Sequence, residues 1–238
     1  MSTLFSVRHG QASFLADNYD ELSDLGCQQA QLLGDYWAAR GVVFDEVYSG
    51  PRQRQRHTAE LVGQQYLAAG RDFPKIQELA EFDEYDAETV MRQALPELIE
   101  SSPEIRKLHE AFVASSSRDE QLRTFQRVYE MVIRRWIRGE LSLGDVEPWE
   151  TFSARVGRGL EKIVAGPSSR RVAVFTSGGP IGVTMRRALN VDHEVTLQLA
   201  WMVRNGSFSE FIFSGSRFTL SGFNLLPHLD DPQLQTYR

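Results

Sequence analysis

Cysteine is almost absent from this chain of 238 residues. Cys27 is the only one, so no disulfide can form within the chain and a zinc site built from several cysteines is excluded. Cys27 falls inside a helical pattern, where a lone thiol has a structural role. A chain without disulfides is typical of a reducing compartment, and we therefore expect a cytoplasmic protein.

Long apolar runs are also missing. No stretch reaches the ~18 consecutive apolar residues that indicate a membrane-spanning helix. The first residues show neither the basic stretch nor the apolar stretch of a secretory signal. We therefore expect no membrane among the partners of this protein.

Positive charge is in deficit, with 26 Lys and Arg against 32 Asp and Glu and a net charge of −6. The overall field does not attract nucleic acid, and any anion site has to be built locally. Four histidines, His57, His109, His193 and His228, lack the spacing of metal ligands. We expect neither a metal ion nor another cofactor.

What is present is the alternation of apolar patterns that α/β proteins show. Residues 4–7 predict a buried strand, residues 23–40 a helix with Ser23 or Asp24 as N-cap, and residues 44–48 a second strand. This order predicts a parallel β-α-β unit. Further along we predict a helix at 51–69, a short strand at 75–79, a nearly all-helical stretch at 86–164, a strand at 171–176, a helix ending near residue 190 and a hairpin over 207–213 and 217–223. The chain is predicted to be one domain, 1–238, that carries a helical insertion at 86–148.

Arg8, His9 and Gly10 follow the first predicted strand directly. They are therefore expected at the carboxyl end of that strand, where open α/β sheets bind their ligands. A guanidinium group matches the oxygens of a phosphate, and a neutral imidazole can attack phosphorus. The alternative, for so short a motif, is a surface Arg-His pair in a turn.

Three arginines, Arg52, Arg54 and Arg56, crowd the start of the helix that follows Pro51. Cations are unfavourable at a helix N-terminus, where the dipole attracts anions. They are either solvated surface side chains, or at least one of them faces a bound anion beside His9.

Ser177, Gly178 and Gly179 lie between a buried strand and a helix start. Glycines and helix-start N–H groups can cradle an anion. The lysine and the spacing of a P-loop are missing, and Phe175 stands where a nucleophile elbow needs its first glycine. The alternatives are an ordinary turn, or a Ser177 side chain that caps the helix.

An acidic run follows the short strand, and its members include Glu81 and Glu84. Such a run is usually a solvated face. A carboxyl group near a strand end can also protonate a leaving oxygen, which phosphoryl transfer to a histidine requires.

In this order the segments resemble the histidine phosphatase superfamily, also called the phosphoglycerate mutase-like family. The resemblance rests on four patterns: Arg8-His9-Gly10, Ser49-x-Pro51-x-x-Arg54-x-x-x-Thr58-Ala59, Leu79-x-Glu81 and Ser177-Gly178-Gly179. It implies a three-layer α/β fold, in which helices cover both faces of a mostly parallel central sheet and the helical insertion is an addition.

The resemblance also implies roles for individual residues. His9 is the nucleophile that becomes phosphohistidine, and Arg8 and Arg54 hold the phosphoryl oxygens. Glu81 is the proton donor, with Glu84 as the second candidate. The residues expected to bind substrate are Gln11, Ser13, Ser177 and Gly178.

The chain departs from the family at two positions. The family usually has a second pocket histidine where Ser177 stands here, and a hydroxyl group carries no positive charge. Losing a charge-assisted hydrogen bond costs about 1.5–3 kcal/mol, which weakens or changes the pocket. Leu15 stands where mutases of this family usually carry asparagine, and this argues against a glycolytic mutase.

Two classes of function are compatible with these features. The first is a phosphatase that acts on a small phosphorylated molecule or a phosphopeptide. The second is a catalytically weak member of the family that binds a phosphorylated ligand or a protein partner. A third, more distant possibility makes Ser177 a hydrolase nucleophile with His193 or His228 as its base, although the incomplete elbow motif counts against it.

We predict that the site needs no metal ion, because arginine side chains can neutralise phosphoryl charge in place of a cation. Hydrolysis of a generic aryl phosphate should survive EDTA. Loss of activity in chelator, restored by Mg²⁺ or Zn²⁺, would contradict this prediction.

Overall fold

A computed structural model of the protein describes residues 1–12 and 20–237. Its strands are β1 (Ser2–Arg8), β2 (Glu46–Ser49), β3 (Ile76–Glu78), β4 (Arg171–Thr176), β5 (Phe208–Ser214) and β6 (Arg217–Leu225). Its helices are α1 (Asp24–Ala39), α2 (Gln53–Ala68), α3 (Ala87–Ser101), α4 (Pro103–Ala114), α5 (Arg118–Ile137), α6 (Trp149–Val164), α7 (Gly178–Leu189) and α8 (His193–Met202). The predicted α/β class is confirmed.

All six strands form one sheet in the order β3-β2-β4-β1-β5-β6. The pairs β2/β3, β2/β4 and β1/β4 are parallel, whereas β5 is antiparallel to both β1 and β6. The sheet is thus mostly parallel, as predicted. Because β1, β2 and β4 run in the same direction, their carboxyl ends meet at one edge.

The central strands β1 and β4 are buried on both faces of the sheet. Phe5 and Val7 of β1 pack with residues of α1 and α2 in one aromatic-rich core, in which Trp37 and Phe44 have ring centroids 5.1 Å apart. Side chains alternate along a strand, so Leu4 points to the opposite face, and it is only 1% exposed. Helix α7 contacts β1 and β6. This explains why β1 carries apolar side chains on both faces instead of alternating apolar and polar residues.

Helix α1 begins and ends close to the residues that the sequence predicts. The Ser23 side chain is the N-cap of α1 and accepts a hydrogen bond from the Gly26 N–H. The chain turns after Arg40 at Gly41, whose φ of +65° favours glycine.

The chain divides into two compact units, Met1–Glu84 with Ser153–Arg238, and Tyr85–Phe152. The second unit spans the stretch for which the sequence predicts an insertion at 86–148. Its core is aromatic: the Tyr85 ring stacks on Trp136 at 5.0 Å between centroids, and Trp149 meets Trp136 edge-on at 5.6 Å. The amphipathic pattern of α5 supplies this core, because Val132, Ile133 and Trp136 are buried.

Helix α8 is absent from the predicted elements. Asp192 caps it by accepting a hydrogen bond from the Val195 N–H. Its apolar side chains include both buried and exposed ones, Leu197 at 1% and Met202 at 53% exposed, and they show no clean helical period.

No helix in the described ranges is both long and apolar enough to span a membrane.

His228 should make the fold sensitive to acid. Its ring is 8% exposed and stacks on Phe208, and burial lowers its pKa from 6.5 to about 4. The unfolded chain keeps the ordinary pKa and so binds more protons between these values. The contribution of His228 to the free energy of unfolding is therefore fully present above pH 6.5, and it is lost as the pH falls towards 4.

We predict that His228→Phe, which keeps a ring against Phe208 and cannot titrate, reduces this loss. Between pH 7 and pH 4.5, the free energy of unfolding should fall by about 2–3 kcal/mol more in the wild type than in the variant. Urea denaturation at each pH measures the difference. Equal losses in the two proteins would contradict the prediction.

Candidate active site

His9 lies at the carboxyl edge of the sheet, one residue beyond β1. Its backbone N–H donates to the Thr176 carbonyl at 2.9 Å, and its own carbonyl accepts from the Gly206 N–H at 3.1 Å. These bonds hold His9 between the end of β4 and the loop that precedes β5. Its side chain is buried, at 4% exposure.

The contacts of the His9 ring define its tautomer. Nδ1 lies 2.7 Å from the Gly10 carbonyl oxygen, and Nε2 lies 3.1 Å from Arg54 Nε. A carbonyl can only accept and a guanidinium can only donate, so Nδ1 carries the hydrogen and Nε2 carries the lone pair. Burial, followed by the charges of Arg54 and Arg8, holds the pKa of His9 well below its usual value. The ring is therefore a neutral imidazole whose Nε2 carries the lone pair and accepts a hydrogen bond from Arg54.

Gly10 and Thr58 join the end of β1 to helix α2. The Gly10 N–H donates to Thr58 Oγ1 at 3.1 Å, and the Thr58 hydroxyl donates to the Arg54 carbonyl at 2.7 Å. A side chain at position 10 has no room, since its Cβ would lie 2.2 Å from the Gly26 carbonyl oxygen. The short motif after β1 therefore needs glycine for packing.

Arg54 is buried in the first turn of α2, at 6% exposure. Besides His9, it contacts Asp20, whose Oδ1 lies 2.7 Å from Arg54 Nη1. The other carboxylate oxygen of Asp20 accepts from the Gln53 N–H at 2.8 Å. A carboxylate thus occupies donors at the start of α2, which shows that these donors suit an anion.

Arg8 is the last residue of β1, and its guanidinium donates to the Val203 carbonyl. Arg8 precedes His9 directly in the chain, and its positive charge also lowers the pKa of His9. Arg8, His9 and Arg54 are therefore brought together. Arg52 and Arg56 instead form ion pairs with carboxylates, at 2.5 Å from Asp83 and 3.1 Å from Glu78.

Ser177 follows β4 and is buried, at 1% exposure. It stands at the N-cap of α7, yet its side chain makes no capping bond. An N-cap side chain accepts from the second or third helical N–H. Here the Gly179 N–H donates to Glu84 Oε2 at 3.0 Å, and Pro180 has no N–H. The capping role is therefore excluded, and Ser177 Oγ instead accepts a hydrogen bond of 2.8 Å from Gln55 Nε2.

The two candidate acids lie in different surroundings. Glu81 forms an ion pair with Lys162, and this contact lowers the pKa of Glu81. Its Cβ also lies against α6, only 2.8 Å from where a Cβ at Gly159 would sit. Glu84 instead reaches the first turn of α7 beside Ser177. Of the two carboxyl groups, Glu84 contacts the helix start beside Ser177, and Glu81 contacts Lys162.

The remaining predicted substrate-binding residues lie as follows. Gln11 is tied to the start of α1, because its Oε1 accepts from the Ser23 hydroxyl at 2.9 Å. Gly178 is the first residue of α7 and supplies a helix-start N–H beside Ser177. Ser13 lies outside the described residues, as does Leu15.

The hydrolase alternative with Ser177 as nucleophile needs a histidine beside its hydroxyl. His193 Nε2 lies 3.2 Å from Arg186, and His228 stacks on Phe208. The buried partner of Ser177 is the Gln55 amide, which cannot act as a base.

A metal centre needs several converging ligands. Over residues 1–12 and 20–237, no group of three or more His, Cys, Asp or Glu side chains is arranged to hold an ion. The positive charges that lower the pKa of His9 are those of Arg54 and Arg8.

Solved structures with the same fold include several phosphatases. The alpha-ribazole phosphatase from Shigella flexneri has a TM-score of 0.62 and 18% identity, over 94% of this chain and 96% of that one. The phosphoserine phosphatase from Entamoeba histolytica, in complex with 3-phosphoglyceric acid, has a TM-score of 0.62 and 18% identity, over 96% and 100%. The mycobacterial glucosyl-3-phosphoglycerate phosphatase, with inorganic phosphate, has a TM-score of 0.63 and 18% identity, over 95% and 98%. At such identities the likeness shows the fold.

A search of curated protein sequences found no significant match. The family model described as the histidine phosphatase superfamily (branch 1) matches residues 4–142 and 117–226. These two matches together cover most of the chain, including the segments that carry His9, Arg54, Glu84 and Ser177. The chain belongs to the histidine phosphatase superfamily.

Proposed function

We propose that the protein hydrolyses a phosphomonoester through a phosphohistidine intermediate on His9. The observation that carries this proposal is the state of the His9 ring. Its Nδ1–H is held by the Gly10 carbonyl, and its Nε2 lone pair faces the guanidinium of Arg54. A neutral imidazole with one nitrogen directed at a phosphate-binding arginine suits in-line attack on phosphorus.

In the first step, Nε2 of His9 forms a bond to phosphorus while the bond from phosphorus to the leaving oxygen breaks. The ring becomes positively charged, and its Nδ1–H remains on the Gly10 carbonyl. Arg54 Nε, which donates to Nε2 in the free protein, transfers its hydrogen bond to a phosphoryl oxygen. Arg8 and Arg54 together neutralise the charge on the phosphoryl oxygens.

We assign the proton transfers to Glu84 in place of Glu81. Glu84 lies at the start of α7, whereas Glu81 is paired with Lys162 and has a lowered pKa. The protonated Glu84 carboxyl gives its proton to the leaving oxygen. In the second step the Glu84 carboxylate takes a proton from water, whose oxygen attacks phosphorus as the bond to His9 breaks. Inorganic phosphate and neutral His9 result.

We propose a small phosphorylated molecule as the substrate, with a phosphopeptide as the alternative. The similar structures support the first choice, since they are named as an alpha-ribazole phosphatase, a phosphoserine phosphatase and a glucosyl-3-phosphoglycerate phosphatase. No metal ion enters the mechanism, and a cytoplasmic location agrees with the lone Cys27.

The second candidate is a protein that binds a phosphorylated ligand without turning it over. The contact that favours this candidate is the ion pair between Asp20 and Arg54, at 2.7 Å. It occupies the guanidinium group that would otherwise bind the phosphoryl group of a substrate. A covalent phosphoenzyme distinguishes the two candidates, because only the phosphatase forms one.

The nucleophile is tested by His9→Ala and by His9→Asn, the second of which preserves more of the side-chain volume. Mixing wild-type protein with a labelled phosphoester and quenching should give an acid-labile, alkali-stable phosphoenzyme. Both variants should lose the phosphoenzyme and the turnover, while their melting temperatures show whether they fold. Wild-type turnover in a folded His9→Ala protein would overturn the mechanism.

The acid is tested by the matched pair Glu84→Gln and Glu81→Gln, which make the same chemical change three residues apart. Glu84→Gln should slow hydrolysis of alkyl phosphates by roughly 10²–10⁴-fold. It should slow aryl phosphates much less, because their leaving groups need little protonation. Glu81→Gln should stay close to wild type, since its ion pair with Lys162 is partly exposed. The opposite ranking in alkyl phosphate turnover would return the role to Glu81.

A further inference from the structure

Gln55 lies at the centre of the site and touches three of its segments. It follows Arg54 in the first turn of α2 and is completely buried. Its Nε2 donates to Ser177 Oγ at 2.8 Å and to the Phe82 carbonyl at 3.3 Å. Its Oε1 accepts from the Arg52 N–H at 3.1 Å. The carboxamide thus connects the start of α2, the loop after β3 and the end of β4.

These partners allow only one orientation of the amide. If its oxygen and nitrogen were exchanged, the oxygen would face the Phe82 carbonyl and the nitrogen would face the Arg52 N–H. Both contacts would be repulsive in a buried place. Gln55 is therefore held as a donor towards Ser177.

The orientation of Gln55 determines what Ser177 can do. Ser177 Oγ accepts from Gln55, and the capping bond to α7 is excluded because Glu84 takes the Gly179 N–H and Pro180 has none. The hydroxyl hydrogen of Ser177 is therefore directed away from Gln55 and from the first turn of α7. A hydroxyl that accepts one hydrogen bond also donates more strongly.

The position of Ser177 gives that hydrogen a target. Thr176 is paired with Arg8 across β4 and β1, and the Thr176 carbonyl receives the His9 N–H. Ser177 and His9 therefore follow neighbouring parallel strands, which lie about 4.8 Å apart. A phosphoryl group attached to His9 would therefore lie at the same edge of the sheet as Ser177.

We propose that Gln55 is a positioning residue, which orients the Ser177 hydroxyl to donate a hydrogen bond to the transferred phosphoryl group. Ser177 touches the phosphoryl oxygen, and Gln55 acts only through Ser177. The inference rests on the proposed phosphohistidine chemistry, and it adds a neutral donor relay to the two arginines. Removing either member should therefore remove the same interaction.

The test is a double-mutant cycle with Ser177→Ala and Gln55→Met, the latter of which keeps the side-chain length and removes the donor. Each single variant should lower kcat/KM for an aryl phosphate about tenfold, the effect of one hydrogen bond in the transition state. The double variant should be no more than about twofold worse than Ser177→Ala, because both changes break one relay. Melting temperatures are measured for all four proteins.

A second variant reverses the hydrogen bond. Gln55→Glu turns the donor into an acceptor, so that the Ser177 hydroxyl donates to position 55 and away from phosphate. Gln55→Glu should therefore lower kcat/KM more than Gln55→Met when Ser177 is present. In the Ser177→Ala background the two variants should differ only by the effect of the added charge. The difference between the two variants in that background measures the effect of the charge at position 55 itself.

Two results would overturn the proposal. The first is a Ser177→Ala protein with kcat/KM within twofold of wild type. The second is a double variant in which the two losses multiply, since this would indicate that Gln55 supports the fold independently of Ser177.

The failure of the proposed chemistry would be seen separately, as a wild-type protein that forms no phosphoenzyme. The same four proteins are then titrated with inorganic phosphate. Ser177→Ala and Gln55→Met should each weaken binding about tenfold without adding, by the same hydrogen-bond argument. A wild-type protein that binds no phosphate would end both proposals.

Discussion

The hydrogen bond between Arg54 Nε and His9 Nε2 is the contact on which the site depends. A guanidinium cannot accept, so this bond requires a lone pair on Nε2 and therefore a neutral ring. Burial and the positive charges of Arg54 and Arg8 keep the ring neutral, and the Gly10 carbonyl holds its single hydrogen on Nδ1. The Gly10 N–H in turn donates to the Thr58 hydroxyl, and the Thr58 hydroxyl donates to the Arg54 carbonyl. One closed network thus couples the end of β1 to the first turn of α2.

The features that the sequence predicted well are those with a local cause. Short, mainly apolar stretches predicted β1 and β4, and Ser23 with Gly41 marked the two ends of α1 to within a residue. The order of strands and helices predicted that several strand ends would meet at one edge, and the sheet order confirms this. Arg8, His9, Arg54 and Ser177 could therefore be placed together from the sequence, because each follows or precedes an element whose type was clear.

The parts that could not be predicted depend on long-range contacts. Glu81 and Glu84 lie three residues apart in a run of similar acids, and only the turn after β3 decides which one reaches α7. Gln55 carries no motif, and its importance appears only when β4 brings Ser177 to it across 122 positions of sequence. Asp20 was missed for the same reason, since a lone carboxylate in a loop gives no sign that it will meet a buried guanidinium.

The Asp20 carboxylate affects how an anion could bind at this edge of the sheet. Asp20 holds Arg54 Nη1 and the Gln53 N–H at once, so an incoming anion does not enter an empty site but exchanges with one that is already bound. The affinity for an anion at these donors is then the difference between their attraction for that anion and their attraction for the Asp20 carboxylate. A singly charged ion gains little over the tethered carboxylate, whereas a doubly charged phosphate monoester gains the attraction of a second charge. Under the proposed function, such an exchange would favour doubly charged phosphate esters over monovalent anions.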